Sequence, residues 1–108
     1  MNSQRNFPLA RQSASKKMSR LQGRIPDIKG FRENPIYITF DIDLFDPSEV
    51  PGTGTPEAGG IRWSDFESLR AVFDRRNIVG LDIVELSTEL DPTGISSALA
   101  AKMLREWL

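Results

Sequence analysis

The sequence predicts an α/β fold of strand, helix, strand and helix, and three observations support this prediction. Two short apolar runs rich in β-branched residues, 36–40 and 78–86, are typical of buried strands. Apolar residues recur at helical spacing between these runs and again after the second one. Strands that alternate with helices form parallel sheets, so the two strands should be parallel with right-handed crossovers.

The first strand, 36–40, is apolar or β-branched throughout, as expected for a strand buried in a parallel sheet. It ends at Asp41. The following segment, 43–61, holds three Pro and four Gly with no apolar period, which predicts a long loop. Loops of that length inside a compact unit are usually functional.

The first helix is predicted from an apolar spacing of three, three, three and one residue, with Ser64 as its N-cap and Glu67 completing a capping box. The residues that give this spacing are Trp63, Phe66, Leu69, Val72 and Phe73. The second strand, 78–86, ends in acidic residues, and a loop over 87–94 follows it. The last helix presents an apolar side that reaches Trp107, formed by Ile95, Leu99, Met103 and Leu104.

The composition limits the chemistry that the 108 residues can perform. An apolar fraction of 39% and a charged fraction of 27% are ordinary for a globular protein, and the apolar runs are too short to cross a bilayer. The chain has no Cys and no His, which excludes disulfides, thiolate chemistry, Cys-bound zinc and a His base. Carboxylates, hydroxyls, Lys and Arg remain.

Residues 1–34 differ from the rest of the chain in charge and composition. They carry only Asp27 and Glu33 as acids, against eight bases: Arg5, Arg11, Lys16, Lys17, Arg20, Arg24, Lys29 and Arg32. A Ser-, Gln- and Arg-rich segment without an apolar period is expected to be a disordered leader. It could be a solvated tail, an organelle transit peptide or a nucleic-acid arm. Aromatic residues for base stacking are scarce, so a nucleic-acid arm is the least favoured of the three. We expect a cytoplasmic protein that binds neither nucleic acid nor membrane, and organelle targeting by the leader is the less favoured location.

Acidic residues stand at the predicted carboxyl ends of both strands, where parallel sheets bind their ligands. They are Asp41 and Asp43 after the first strand, and Asp82 and Glu85 in the second. Side chains two residues apart on an extended chain share a face, with Cβ atoms about 6 to 7 Å apart. Two carboxylates this close repel each other, so cations between them, as in a two-metal centre, would stabilise the arrangement.

Other carboxylate motifs fit this stretch less well. An EF-hand loop beginning at Asp41 would need Gly at position 6 and Glu at position 12, but Asp46 and Gly52 stand there. A phosphatase of the haloacid dehalogenase type usually has Thr or Val where Phe45 stands. Asp41 and Asp43 could also simply cap the strand end, with Asp46 starting a turn. Asp82 could support the site or be a polar strand residue, and Asp46 and Glu49 are expected at the loop surface.

The longer string resembles the ureohydrolases, the family of arginase and agmatinase. The family motif is Ser or Thr, an apolar residue, Asp-apolar-Asp, three residues, Pro, three residues, Pro, a small residue, seven residues and Gly. Thr39-Phe40-Asp41-Ile42-Asp43, Pro47, Pro51-Gly52 and Gly60 match every fixed position. Residues 51–57 look more like agmatinases than arginases, and 80–86 and 91–102 are similar to the family's next strand and final helix. The resemblance covers 35–108, a C-terminal segment of a ureohydrolase-like domain with a partial arginase-like fold.

The resemblance implies a dimanganese hydrolase that cleaves a guanidino C–N bond, such as agmatine to putrescine and urea. By this resemblance Asp41 and Asp43 would ligate the two Mn²⁺ ions, Thr55 would help to shape the substrate pocket, and Glu85 would bind the guanidinium group. Thr88 stands where the family often has Pro.

The family's other metal ligands, two His and two further Asp, belong to motifs that do not occur in this sequence. We therefore expect a fragment that is inactive alone, with the site completed by a complementing chain or within a homo-oligomer. The alternative is a non-enzymatic remnant or interaction module that binds a full-length homologue.

Overall fold

The computed structural model describes residues 18–108, and the order of its main elements confirms the predicted α/β arrangement. Residues 18–24 are helical and run into a 3₁₀ turn, Ile25–Asp27. Strand β1 is Ile36–Asp41, helix α1 is Trp63–Ala71, strand β2 is Ile78–Val84 and helix α2 is Ile95–Trp107. Short 3₁₀ turns, Ile42–Leu44 and Thr88–Leu90, follow the two strands.

Strands β1 and β2 form a two-stranded parallel sheet, as predicted. Thr39 lies opposite Asp82 and Asp41 lies opposite Val84, with an irregularity in pairing between Ile36 and Tyr37. Burial alternates along β1, because its side chains point to opposite faces of the sheet. One face is packed into the core, and the other, which we call the open face, carries exposed side chains such as Tyr37 and Thr39.

Aromatic side chains join the covered face of the sheet to both helices. Phe66 of α1 is fully buried, with its ring centroid 5.7 Å from Phe40 of β1 and 6.3 Å from Trp107 of α2. Phe45, also fully buried, lies 6.0 Å from Phe66. Both helices therefore cover the same side of the sheet, and the carboxyl ends of the strands stay free of helical cover on the open face.

The element boundaries differ from the predicted ones for identifiable local reasons. Helix α1 begins two residues earlier than its predicted cap implies. Arg62 is its N-cap, and the Arg62 backbone N–H donates to the Asp65 carboxylate at 2.9 Å, so Ser64 and Glu67 do not form the cap. Strand β2 ends at Val84 rather than 86. Glu85 has a φ of 69°, in the left-handed region, which an extended strand cannot continue through.

Within 18–34, three apolar side chains reach the core, while most of the other residues are exposed. Met18, Ile25 and Phe31 are buried in the core, and the Phe31 ring meets Phe73 edge to face at 5.6 Å. Three widely spaced apolar residues suffice for this contact, although they form no regular pattern in the sequence. The disorder predicted for residues 1–17 lies outside the described residues, and the domain boundary at 35 stays a prediction.

Helices long and apolar enough to span a membrane do not occur in residues 18–108.

Candidate functional site

The two aspartates of the D-x-D motif occupy a strand end and a tight turn. Asp41 is the last residue of β1, and its side chain accepts a hydrogen bond from the Asp43 backbone N–H at 3.1 Å. Asp43 lies within the 3₁₀ turn that this bond caps. The expected extended geometry with both side chains on one strand face is therefore wrong for Asp43. The capping role proposed for Asp41 is present in the structure, and it leaves the second carboxylate oxygen of Asp41 available.

Thr55 reaches Asp43 from the far part of the long loop. Its hydroxyl donates to Asp43 Oδ2 at 3.0 Å. A hydroxyl donor on one oxygen fixes the orientation of a carboxylate, as outer-shell groups do for metal ligands. The structure thus places Thr55 next to the carboxylate pair, and its predicted contact with a substrate stays a prediction.

Asp46 holds the two ends of this loop together. Its carboxylate accepts hydrogen bonds from the backbone N–H groups of Ser48 at 2.9 Å and Gly59 at 3.0 Å. Partial burial raises the pKa of Asp46, but these hydrogen bonds and the charge of Arg62 lower it more, so the net shift is downward. Asp46 is more than the surface turn residue expected from the sequence, because its second bond closes the loop.

Backbone pairing completes this closure. The Asp46 N–H donates to the Ile61 carbonyl and the Ile61 N–H donates to the Leu44 carbonyl, both at 2.9 Å. Gly60 lies so close to this pairing that an added Cβ would be 2.5 Å from the backbone of Phe45 and Asp46. The last fixed position of the sequence motif therefore requires Gly, because a side chain there would clash with the backbone.

A buried polar junction anchors the middle of the loop to α2. The Gly52 N–H donates to the Ser96 hydroxyl at 2.8 Å, and the Ser96 N–H donates to Asp91 Oδ2 at 2.7 Å. Asp91 also accepts from the backbone N–H and the hydroxyl of Thr93. Hydrogen bonds from Ser96 and Thr93 hold the pKa of Asp91 at about 2. Asp91 thus caps the first turn of α2 and fixes the loop that carries Thr55.

Glu85 stands beside Asp41 at the carboxyl edge of the sheet. It directly follows Val84, which pairs with Asp41 in the sheet register. Burial raises the pKa of Asp41, and the negative charges of Asp43 and Glu85 raise it further, against the lowering effect of the Asp43 N–H. The structure therefore brings together three of the predicted site residues, and we call Asp41, Asp43 and Glu85 the acid edge.

The left-handed backbone of Glu85 is unusual for a residue with a side chain. Its φ of 69° costs about 1 to 2 kcal/mol relative to the right-handed region. Strained conformations of this kind cluster at active sites and ligand sites. The sequence did not predict this strain, because it places Glu85 within the predicted strand 78–86.

Asp82 does not belong to the acid edge. It lies opposite Thr39, two residues before the end of the strand pairing, and its Oδ2 accepts from the Tyr37 hydroxyl at 2.9 Å. This hydrogen bond, together with the charge of Asp82, raises the pKa of Tyr37. Gly80 makes the contact feasible, because a Cβ there would overlap the Tyr37 ring. Of the two roles left open for Asp82, the structure supports that of a polar strand residue on the open face.

The described residues do not by themselves fit a two-metal centre. Within 18–108, His, Cys, Asp and Glu side chains form no group of three or more that could hold a metal ion. Asp41 and Asp43 offer two carboxylates, and one oxygen of each already accepts a hydrogen bond from within the chain. Their assignment as metal ligands therefore stays a prediction, and it requires donors beyond those that the structure describes.

The fold and the acid edge together define a class of protein. It is a parallel α/β unit that presents carboxylates at the ends of its strands, beside a long loop that is anchored by hydrogen bonds. The family model described as Arginase family matches residues 5–108. The chain belongs to the arginase family.

Sequence relatives of the chain include a ureohydrolase and an agmatinase. The chain is 46% identical over 67 residues to an N(1)-aminopropylagmatine ureohydrolase of Thermococcus kodakarensis, covering 59% of this chain and 23% of that protein. It is 43% identical over 77 residues to an agmatinase of Blochmanniella floridana, covering 71% of this chain and 25% of the relative. The chain thus spans less than a third of the length of these relatives.

Solved structures agree with this assignment. Proclavaminate amidino hydrolase from Streptomyces clavuligerus superimposes with a TM-score of 0.71 at 34% identity, over 82% of this chain and 29% of the other. Arginase from Bacillus caldovelox gives a TM-score of 0.63 at 27% identity, over 81% and 29%. The predicted partial arginase-like fold is confirmed.

Proposed function

We propose that this chain supplies the guanidine-binding edge of an agmatinase-like ureohydrolase. The reaction is the hydrolysis of agmatine, in which water cleaves a guanidino C–N bond to give putrescine and urea. The names of the ureohydrolase and agmatinase relatives support this choice of chemistry. The observation that carries it is the placement of Glu85 beside Asp41 at the carboxyl ends of adjacent strands.

Glu85 has the properties of a guanidinium partner. A guanidinium group is a planar cation that a carboxylate binds through two parallel hydrogen bonds. The Glu85 side chain is exposed, and ion pairs among the described residues do not engage it. Glu85 directly follows Val84, which pairs with Asp41 in the sheet, so a guanidinium group bound to Glu85 would lie next to Asp41.

Manganese is the metal that we propose for the complete site, because oxygen-rich sites suit Mn²⁺. Asp41 and Asp43 would contribute oxygen donors to it. Two carboxylates do not make a two-ion centre, so the proposal requires further ligands from a complementing chain or from a second copy. The described residues offer no observation that favours the non-enzymatic alternative.

Urea release from agmatine in the presence of MnCl₂ tests this proposal. The full chain is assayed alone and mixed with a separately expressed agmatinase polypeptide that lacks the segment equivalent to 35–108. We expect release only in the mixture, and loss of release when the chain carries Asp41→Asn and Asp43→Asn. Glu49→Gln, on the same loop but outside the acid edge, is the matched control and should retain release.

The outcome also depends on the guanidine used. Arginine and 4-guanidinobutyrate, which both carry a carboxylate that agmatine lacks, are assayed beside agmatine to define the substrate. A mixture that releases no urea from any of the three would contradict the proposed function. Release by the chain alone, abolished by the double substitution, would show that copies of this chain complete the site themselves.

A further inference from the structure

The left-handed backbone of Glu85 is held by contacts on both sides of it along the chain. Strained conformations of this kind persist only where the surrounding structure over-determines them. On the side before Glu85, Val84 pairs with Asp41 in the sheet. On the side after it, the Ser87 N–H donates to the Gly52 carbonyl at 2.8 Å. Glu85 therefore lies between a sheet contact and a contact with the long loop.

Gly52 is hydrogen-bonded through both of its backbone groups. Its carbonyl accepts from Ser87, and its N–H donates to the Ser96 hydroxyl at 2.8 Å. Both Gly52 and Ser96 are buried, and a Cβ on Gly52 would lie 2.8 Å from the Ser96 Cβ. This close approach joins the segment after β2 to the first turn of α2 through a single residue of the loop.

Ser96 is itself fixed by the helix that carries it. It is the second residue of α2, and its N–H donates to Asp91 Oδ2 at 2.7 Å. The same helix packs into the core through Ala100 and Met103. A buried hydroxyl on a packed helix is thus presented to Gly52, and Gly52 follows its position.

The contact also controls the part of the loop that reaches Asp43. Thr53, next to Gly52, is 2% exposed, whereas Thr55 is exposed and donates to Asp43 at 3.0 Å. The three residues from Gly52 to Thr55 extend over at most about 10 to 11 Å, so this segment has little slack. A displacement of Gly52 is therefore passed on to Thr55.

We propose that Ser96 is a positioning residue for the acid edge and acts through Gly52. Its hydroxyl maintains the left-handed backbone of Glu85 on one side and the hydrogen bond from Thr55 to Asp43 on the other. The importance of this geometry for substrate binding rests on the proposed function. The geometry itself is a property of the chain and is tested on the chain alone.

Hydrogen exchange and amide NMR spectra of the full chain test the proposal. Ser96→Ala removes the acceptor of the Gly52 N–H. The protection of the Ser87 N–H against exchange should fall by about tenfold, the net worth of one hydrogen bond, because Gly52 loses its fixed position. Ser97→Ala makes the same change one residue further along α2 and should leave this protection unchanged. Equal protection of Ser87 in both variants would overturn the proposal.

The conformation of Glu85 gives a readout that a general loss of stability does not move. The three-bond coupling between its amide and α protons depends on φ, so it should change in Ser96→Ala. Leu69→Ala removes a buried side chain from α1, which lowers stability without a change at Gly52, and the coupling of Glu85 should stay the same. A coupling that is unchanged in Ser96→Ala, or changed equally in Leu69→Ala, would overturn the proposal.

Thr55→Val calibrates the other half of the proposal. It keeps a β-branched side chain and removes the hydroxyl that donates to Asp43, so it defines how the Asp43 amide signal shifts when this hydrogen bond is lost. Ser96→Ala should shift the Asp43 signal in the same direction. An Asp43 signal that does not move in Ser96→Ala would contradict the proposed link from Ser96 to Thr55.

Ser96→Cys keeps the test decisive if Ser96→Ala does not fold. A thiol packs as a small apolar group and is a weak acceptor, so this variant keeps the buried contact and weakens the hydrogen bond. It should change the signals of Ser87, Glu85 and Asp43 in the same direction as Ser96→Ala, by a smaller amount. Changes no larger than those in Ser97→Ala would overturn the proposal.

The positioning role and the proposed function can fail separately. The NMR changes are expected whether or not the chain releases urea in a mixture with its complementing polypeptide. Their absence would overturn the role of Ser96 and leave the proposed function standing. Their presence supports the role of Ser96 even where a lack of urea release contradicts the proposed function.

Discussion

Phe66 is the residue whose loss should affect the fold most, because it joins the sheet to both helices. Its side chain is 0% exposed. Ring centroids lie 4.9 Å away at Trp63, 5.7 Å at Phe40, 6.0 Å at Phe45 and 6.3 Å at Trp107. Replacing Phe66 by Ala leaves a cavity bounded by four large rings, which cannot all move inward at once.

The expected loss in the free energy of unfolding is about 3 to 5 kcal/mol, as for other buried Phe→Ala changes. Aromatic pairing adds to this cost, at about 0.5 to 1.5 kcal/mol for each pair beyond its buried area. Small domains have only about 5 to 15 kcal/mol of stability in total. At about 4 to 8 °C per kcal/mol, the melting temperature of Phe66→Ala should fall by at least about 12 °C.

Urea unfolding followed by tryptophan fluorescence measures this loss, since Trp63 and Trp107 both contact Phe66. Phe66→Leu, which keeps most of the volume, should lose less than Phe66→Ala. Val79→Ala is the exposed control, at a position that is 63% exposed, and should change stability by no more than about 0.5 kcal/mol. A cost for Phe66→Ala as small as that of the control would refute this account of the core.

Three further predictions concern the loop anchors and the strained backbone. Asp91→Asn should lower the melting temperature at pH 7. Because the pKa of Asp91 is held at about 2, the stability that its carboxylate contributes is present above about pH 4 and is lost as the pH falls through 2. The melting temperatures of the two proteins, measured from pH 7 to 2, should therefore converge at the acid end, and parallel curves would contradict this. Gly52→Ala should cost about 1 to 3 kcal/mol in urea unfolding, because its Cβ would lie 2.8 Å from Ser96 Cβ and 2.9 Å from Asp91 Cβ, whereas Gly54→Ala, with open space around it, is the matched control. Glu85→Gly should raise stability by about 1 kcal/mol by relieving its left-handed φ, as should Arg75→Gly at a φ of 61°, and a loss in both would refute the strain argument.

The main elements were predictable because their signals are local. The apolar run 36–40 and the helical spacing that begins at Trp63 each involve residues that are close together along the chain. The strand and the helix that they predict both occur in the structure. The parallel pairing followed from the alternation of strand and helix. The burial of Met18 and Phe31 was not predictable, since it depends on contacts with distant residues such as Phe73, which leave no period in the sequence.

The candidate site likewise combines features that the sequence predicted with features that it did not. The sequence by itself determined that Asp41, Asp43 and Glu85 follow strands and meet at one edge, since parallel strands end on the same side. Only the tertiary structure decided that Thr55 donates to Asp43, that Asp82 turns to Tyr37 instead of the edge, and that Glu85 adopts a left-handed backbone. The Thr55 contact depends on where the loop 43–61 returns, and the Tyr37 contact depends on how the two strands pair; both are set by hydrogen bonds between residues far apart in the chain.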